Sequence, residues 1–417
     1  MTTALVCIFI VGYLLIAMES RVRISKTAVA ILMAVICWAL CYWGFGASSE
    51  NVSAFTHALG ETSEILFFLL GAMVIVEVVD ASGGFDFFRE KLISRTKIGL
   101  LWKLTLCTFF LSAVLDNMTT AIIMVMIMDK LVSDKNDKLI YASMVILAAN
   151  SGGAFSPIGD VTTIMLWVKG HISTFGVVRS LFLPSLISVI VPAFIVSFFL
   201  KGRMDVPQNF STKRKSMLIF CVGVGGLLFV PVFRFLTGLA PFMGILLVLS
   251  ILWIVTELMP RHAPDMSALL HKVDLNTILF FLGILTTVAA LAETGILKSA
   301  GEYMDSVSGG NPYIVTAAIG FLSAVVDNVP LVAGCMGMYN VALYGPDMAL
   351  YGIDGTFWEL LAYTGGIGGS MLIIGSAAGV VVMGLQNISF GWYLRHFSWI
   401  ACLGFLAGIL TYWIQGF

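Results

Sequence analysis

The sequence predicts an all-α polytopic membrane protein of two inverted repeats, each with a re-entrant helical hairpin and a broken transmembrane helix. Three observations carry this. Of 417 residues, 59% are hydrophobic and 11% charged, with mean hydropathy +0.99, whereas soluble domains carry about 25% charged residues. Apolar runs of membrane-spanning length recur along the chain, and two of them hold an Asp-Asn pair at their centre. The two halves also share short stretches at nearly one offset. A β-barrel would instead show alternating segments of about 10 residues, and a net charge of −1 leaves no nucleic-acid footprint.

The runs fall at about 4–18, 27–45, 62–81, 98–132, 138–168, 176–201, 216–236, 240–258, 275–294, 312–344, 357–385 and 392–414. No basic segment precedes the first, which reads as a retained span. The 98–132 and 312–344 runs are too long for one span and are interrupted only by the Asp-Asn pairs. A buried polar tip fits an unwound turn lining a cavity, so each is expected to enter the membrane and return. With the loop after the first span in the cytoplasm, 19 of 23 Lys and Arg residues lie inside, and Lys169, Arg179, Arg234 and Lys298 lie outside. The hairpins then open to opposite sides.

Internal similarity supports the inversion. Residues 65–69 (ILFFL) recur at 278–282, an offset of 213; the Asp-Asn segment 111–117 recurs at 322–328, an offset of 211; and Gly152-Gly153 recurs as Gly368-Gly369, an offset of 216. The expected organisation is an N-terminal span and loop (1–26), repeat 1 (27–201, with hairpin 98–132 and broken helix 138–168), a linker and connecting span (202–239), and repeat 2 (240–417, with hairpin 312–344 and broken helix 357–385). Residues 83–97, with Phe85, Phe87 and Phe88 among Arg89, Lys91 and Arg95, read as an interfacial amphipathic helix, with 297–308 as its counterpart.

Asp116, Asp160 and Asp327 are the carboxylates placed centrally in the runs. Each costs about 2.5–3.5 kcal/mol on insertion scales. One such residue could simply hydrogen-bond across helices; three, two of them related by the repeat, point to an ion pathway. The stretch 150–163 (NSGGAFSPIGDVTT) cannot run as one uninterrupted helix, with three glycines and a proline. Its counterpart runs from Thr364 through Ser370 to Gly375-Ser376. Broken helices expose carbonyls and amides, and such hard oxygen donors suit Na⁺ or Li⁺. A proton and a cation exclude one another at the same carboxylate, which is sufficient physics for antiport.

Asn117, Asn150 and Asn328 join the candidate site because a buried amide needs several partners, and Thr162 and Thr163 follow Asp160 closely. Ser112 and Ser323 stand one helical turn before their aspartates. These two, with Thr119, Thr120, Ser151, Ser156, Ser370 and Ser376, are expected to support the site, although hydroxyls also serve as packing residues in membrane helices. Glu64, seven residues after His57, suggests a pH-sensing or ion-access pair near the outer face; a plainly solvated histidine is the other reading. Glu77, Asp80 and Glu293 sit nearer span ends and read as interfacial. The seven cysteines are scattered without CxxC spacing. No cofactor is expected beyond the transported ions.

These residues carry a family resemblance. Through residues 65–73, Leu115-Asp116-Asn117-Met118-Thr119-Thr120, Ser156-Pro157-Ile158-Gly159-Asp160-Val161-Thr162-Thr163, Val326-Asp327-Asn328-Val329-Pro330-Leu331-Val332 and 368–379, the chain resembles the NhaD-type sodium/proton antiporters of the ion transporter superfamily over nearly its whole length. The resemblance implies a bacterial inner-membrane exchanger of Na⁺ or Li⁺ for H⁺, most active at alkaline pH, with both hairpin tips at the ion site. By analogy it also implies a homodimer and an elevator-like motion. Carboxylate carriers of the superfamily place Ser-Asn-Thr at these tips, whereas both tips here begin with Asp. Pro330 and Leu331 stand where Thr119 and Thr120 do, and Asp160 faces Ser376 across the repeat, so an asymmetric site is expected. A Na⁺-coupled dicarboxylate or citrate carrier and a channel are the rival transporters. An intramembrane aspartyl protease is the enzymatic rival, but GxGD, HExxH and GxSxG are all missing from the chain, and no enzyme is expected.

Overall fold

The computed structural model describes residues 2–17, 22–45, 49–85, 91–200, 202–203, 214–258 and 266–416, which form helices and no named strand. The elements of the first half are α1 (Thr2–Ala17), α2 (Lys26–Phe45), α3 (Ser49–Ala81), α4 (Lys97–Ser112), α5 (Asn117–Leu131), α6 (Lys135–Ala154), α7 (Val161–Val168) and α8 (Thr174–Ser197). The second half holds α9 (Arg214–Thr237), α10 (Pro241–Glu257), α11 (Met266–Leu270), α12 (Leu275–Glu293), α13 (Ile296–Ser308), α14 (Pro312–Ser323), α15 (Asn328–Met336), α16 (Met348–Tyr351), α17 (Thr356–Gly368), α18 (Ala377–Gln386), α19 (Phe390–His396) and α20 (Ser398–Gln415). Six of the described helices are long and apolar enough to cross a membrane: 26–44, 52–81, 174–197, 217–237, 275–293 and 398–415. The α18–α19 pair, bent by 112°, would make a seventh.

Both Asp-Asn segments are helix breaks. α4 stops at Ser112, the amide of Leu115 closes back on Leu111, and extended Asp116 starts α5. α14 stops at Ser323, the amide of Val326 closes on Leu322, and Asp327 starts α15. The second return arm is only nine residues long, against fifteen in the first. Pro330 is tolerated in its first turn, and the helix ends at Met336 before Gly337. The expected hairpin to 344 is therefore an arm to 336 followed by non-helical chain. The broken helices are α6/α7, interrupted at 155–160, and α17/α18, interrupted at 369–376. Of the interfacial helices, α13 is present. Its expected counterpart at 83–97 lies partly outside the described residues, since 86–90 are among those not described, Phe87, Phe88 and Arg89 included.

The repeat is visible in backbone contacts. Ser112 Oγ donates to Ala149 O at 2.6 Å, and Ser323 Oγ donates to Gly365 O at 2.7 Å. A Cβ on Gly152 would meet Phe109 O at 2.1 Å, and one on Gly368 would meet Gly320 O at 2.3 Å. Each hairpin thus lies backbone to backbone on its broken helix, an approach open only to small residues.

Two bundles result. Helices α1, α2, α3, α9, α10 and α12 pack among themselves, with α2 on α12 and α3 on α10 as the symmetric pairs. The hairpins, the broken helices, α8 and α20 form the second bundle, in which α8 runs along α20. Contacts between the bundles are sparse and run mainly from α12 to α15 and from α3 to α7.

Candidate ion site

Four half-helices start at the junction of the bundles, and each N-terminus is capped by a side chain from the broken segments. Asp116 Oδ1 accepts the amide of Thr119 at 2.9 Å, Asp160 Oδ1 that of Thr162 at 3.0 Å, Asp327 Oδ1 that of Val329 at 3.4 Å, and Ser376 Oγ that of Gly379 at 3.1 Å. An N-terminus carries roughly +0.5 of an elementary charge, which favours a carboxylate there. The three central aspartates are thus caps as well as charges. Four N-termini supply roughly +2 against three carboxylates.

The amides tie the caps together across the repeats. Asn117 Nδ2 donates to Asp160 Oδ2 at 2.9 Å and to Asn150 Oδ1 at 3.0 Å. Asn328, its counterpart on the second tip, donates to the same Asp160 Oδ2 at 3.4 Å. Asn150, fully buried, gives both amide hydrogens to the second half, to Ser370 Oγ at 2.8 Å and Ser376 Oγ at 2.9 Å. At the position matching Asn150 stands Gly366, where a Cβ would lie 3.4 Å from Asp160 Oδ2. The asymmetry expected from the sequence has this geometry: the first half supplies a carboxylate and an amide where the second supplies a hydroxyl and a glycine packed against Ala154 and Asp160.

Asp116, Asp160 and Asp327 all line one cavity of about 50 Å³, with Asn117 and Asn328. That is room for a dehydrated cation and a water or two, since a water needs roughly 10–15 Å³ on this measure. Phe68, Met73, Leu227 and Phe281 of the other bundle close its far wall. Carboxylate and amide oxygens keep lone pairs beyond the bonds given above, so hard-oxygen coordination of Na⁺ or Li⁺ fits this donor set.

The supporting hydroxyls stand apart from the cavity lining. Ser112 and Ser323 hold the hairpins to the broken helices and do not face the aspartates, because the helix on which that facing rested ends at the serine. Ser151 receives Ser188 Oγ at 2.9 Å, Ser156 Oγ accepts the amide of Ile158, and Thr163 Oγ1 donates to Asp160 O at 2.9 Å. Thr119 lines a second cavity of about 250 Å³ with Glu77, Asp80 and Lys272, and Thr120 is buried in α5. His57 is a solvated residue of α3, and its partner is Glu61 at 3.7 Å, one turn away, not Glu64. Glu61 also pairs with Lys169 at 2.8 Å.

Sequence reasoning missed two charged groups. Lys26, read only as a cytoplasmic-side cation, has its Nζ 3.8 Å from Asp327 Oδ2. Glu359, buried at 4% exposure, accepts Tyr412 Oη at 2.6 Å. Both lie in the first turn of their helices, where charges are ordinary, and nothing in the one-dimensional pattern separates them from caps. The 250 Å³ cavity and another of about 320 Å³, lined by Lys26, Asp274 and Asp327, share Met118 with the ion cavity. A 580 Å³ cavity lined by Lys169, His171 and Lys298 shares none of its lining.

Opposed hairpins and broken helices converging on buried carboxylates define an inverted-repeat ion transporter. The chain belongs to the CitMHS family, whose model, described as "Citrate transporter", matches residues 13–354, and to the NhaD-type sodium/proton antiporters. It is 43% identical to sodium/proton antiporter 2 of Arabidopsis thaliana, over 97% of this chain and 97% of the relative. It is 30% identical to the Na⁺/H⁺ antiporter NhaD of Vibrio cholerae, over 98% and 91%. The solved YdaH transporter of Alcanivorax borkumensis shares the fold at TM-score 0.58 and 9% identity, over 93% of this chain and 96% of that one.

Proposed function

We propose that the protein is a secondary Na⁺(Li⁺)/H⁺ antiporter in which sodium and protons compete at Asp116, Asp160 and Asp327. The single observation that supports this best is the shared cavity: three carboxylates from both halves around a space with room for a small cation and a water or two. The relatives named above favour the same exchange. A citrate carrier, the activity in the family model's description, needs cationic anchors for its substrate, and no arginine lines the cavity among the described residues. Deprotonated carboxylates receive Na⁺ from the side of Lys26 and Lys272, the site reorients, and protons displace the cation on the other side.

The packing favours an elevator-like reorientation, since the hairpin bundle touches its neighbour sparsely and the site sits on the boundary. The location proposed is the bacterial inner membrane, supported by the Vibrio relative; an organellar membrane is the alternative that the Arabidopsis relative suggests. A homodimer is proposed on the family analogy. The test is exchange in everted vesicles. Asp116→Asn, Asp160→Asn and Asp327→Asn are each expected to abolish Na⁺-driven proton movement while the protein still reaches the membrane. Full activity in the three variants, or Na⁺-coupled uptake of labelled citrate by the parent protein, would contradict the proposal.

A further inference from the structure

The three aspartates do not share one electrostatic setting. Lys26, the first residue of α2, reaches across the boundary between the bundles to the second hairpin tip. Its Nζ lies 3.8 Å from Asp327 Oδ2 and 4.7 Å from the Phe280 ring centroid on α12. The two side chains are 31% and 18% exposed and border the same 320 Å³ cavity, so the pair is partly desolvated and open to arriving ions. Asp274, the other carboxylate there, is committed to capping α12. Its Oδ1 accepts the Asn276 and Thr277 amides and its Oδ2 accepts Thr277 Oγ1 at 2.6 Å.

Among the described residues, the symmetric position has no such partner. α10 corresponds to α2 and begins with Pro241, preceded by Ala240. The ion pairs among the described residues include none to Asp116. Four helix N-termini at roughly +0.5 each leave about one negative charge unbalanced among three carboxylates. One monovalent cation balances that remainder, and so does one ammonium.

We propose that Lys26 is a tethered cation of the transport site, which balances Asp327 while no sodium is bound and is displaced when the site loads. Resting on the antiport reading, this assigns coordination of the incoming ion first to Asp116 and Asp160. It also makes sodium binding compete with an internal charge on the neighbouring bundle, so that loading releases a link between the bundles, which re-forms when the emptied site has returned to the side of Lys26. Lys26 acts through Asp327 and is a positioning residue.

The experiment compares wild type, Lys26→Gln and Lys26→Arg, purified and reconstituted, reading KM for Na⁺ and maximal rate at one alkaline pH. With the competitor removed, Lys26→Gln is expected to lower KM by roughly two- to fivefold, the scale of a partly exposed ion pair, and to lower the maximal rate through slower release. Lys26→Arg keeps the charge and is expected to match the wild type in KM. Calorimetric Na⁺ binding to detergent-purified protein gives the second readout: in an Asp327→Asn background, Lys26→Gln is expected to change nothing further. An unchanged or raised KM in Lys26→Gln, or the same gain without Asp327, overturns the proposal. A wild-type protein that moves no sodium would instead sink the antiport reading itself.

Discussion

At the residue scale, each central aspartate does two things at once. As an N-cap it contributes about 0.5–2 kcal/mol to the helix it starts, and as a buried charge it makes the site. The asparagines could be read from the sequence because a polar pair inside an apolar run has a cost that must be met locally. The partner each would choose could not: Asn117 and Asn328 converge on one oxygen of Asp160, 43 and 168 residues away in sequence. Lys26 and Glu359 escaped for the opposite reason, since a charge at a span end costs little and carries no signal. A different residue gives a pH test. His171, in the turn between α7 and α8, is buried with its ring 4.2 Å from that of Trp358, and burial holds its imidazole down at about 4. An unfolded histidine titrates near 6.5, so the neutral ring stabilises the fold above that pH, and this contribution is lost as pH falls from 6.5 towards 4. Thermal unfolding in detergent is expected to drop over this window, with a shallower drop in His171→Gln; an identical slope would count against the assignment.

At the element scale, backbone approach matters more than hydrophobic contact. Gly152 and Gly368 lie where a methyl group would overlap a carbonyl of the facing hairpin, and the overlap is with backbone that cannot rotate away. Gly152→Ala and Gly368→Ala are each expected to cost more than the 1–3 kcal/mol typical of overpacking and to yield little folded protein by size-exclusion chromatography. Gly225→Ala, with open space at its Cβ, should behave as the parent. Near-parental yield from Gly152→Ala would mean that the hairpin is not held as described. The matched glycines could be read from the sequence as an offset; the reason for them required the hairpins to be placed. The short return arm of the second hairpin was hidden because the chain beyond Met336 stays apolar after the helix has ended.

At the scale of the whole molecule, two bundles meet along a thin boundary with the site on it. The repeat and the membrane class could be read directly, because hydropathy and duplicated motifs survive in one dimension. The division into bundles could not, because it depends on which apolar faces find one another. Glu61 on α3 and Lys169 at the end of α7 pair across that boundary, away from the site. In a Glu61→Cys/Lys169→Cys variant, a short bis-maleimide is expected to stop exchange, whereas the two single variants keep it under the same treatment. Undiminished exchange in the cross-linked protein would exclude relative motion at this contact.

One pocket that holds either sodium or protons must couple the two ions, which Na⁺-driven dequenching of a pH dye in proteoliposomes reads from neutral to alkaline pH. The expected result is proton movement with Na⁺ and Li⁺, with an apparent KM for Na⁺ that rises steadily as pH falls. A KM independent of pH, or no Na⁺-linked proton movement at any pH, would contradict it.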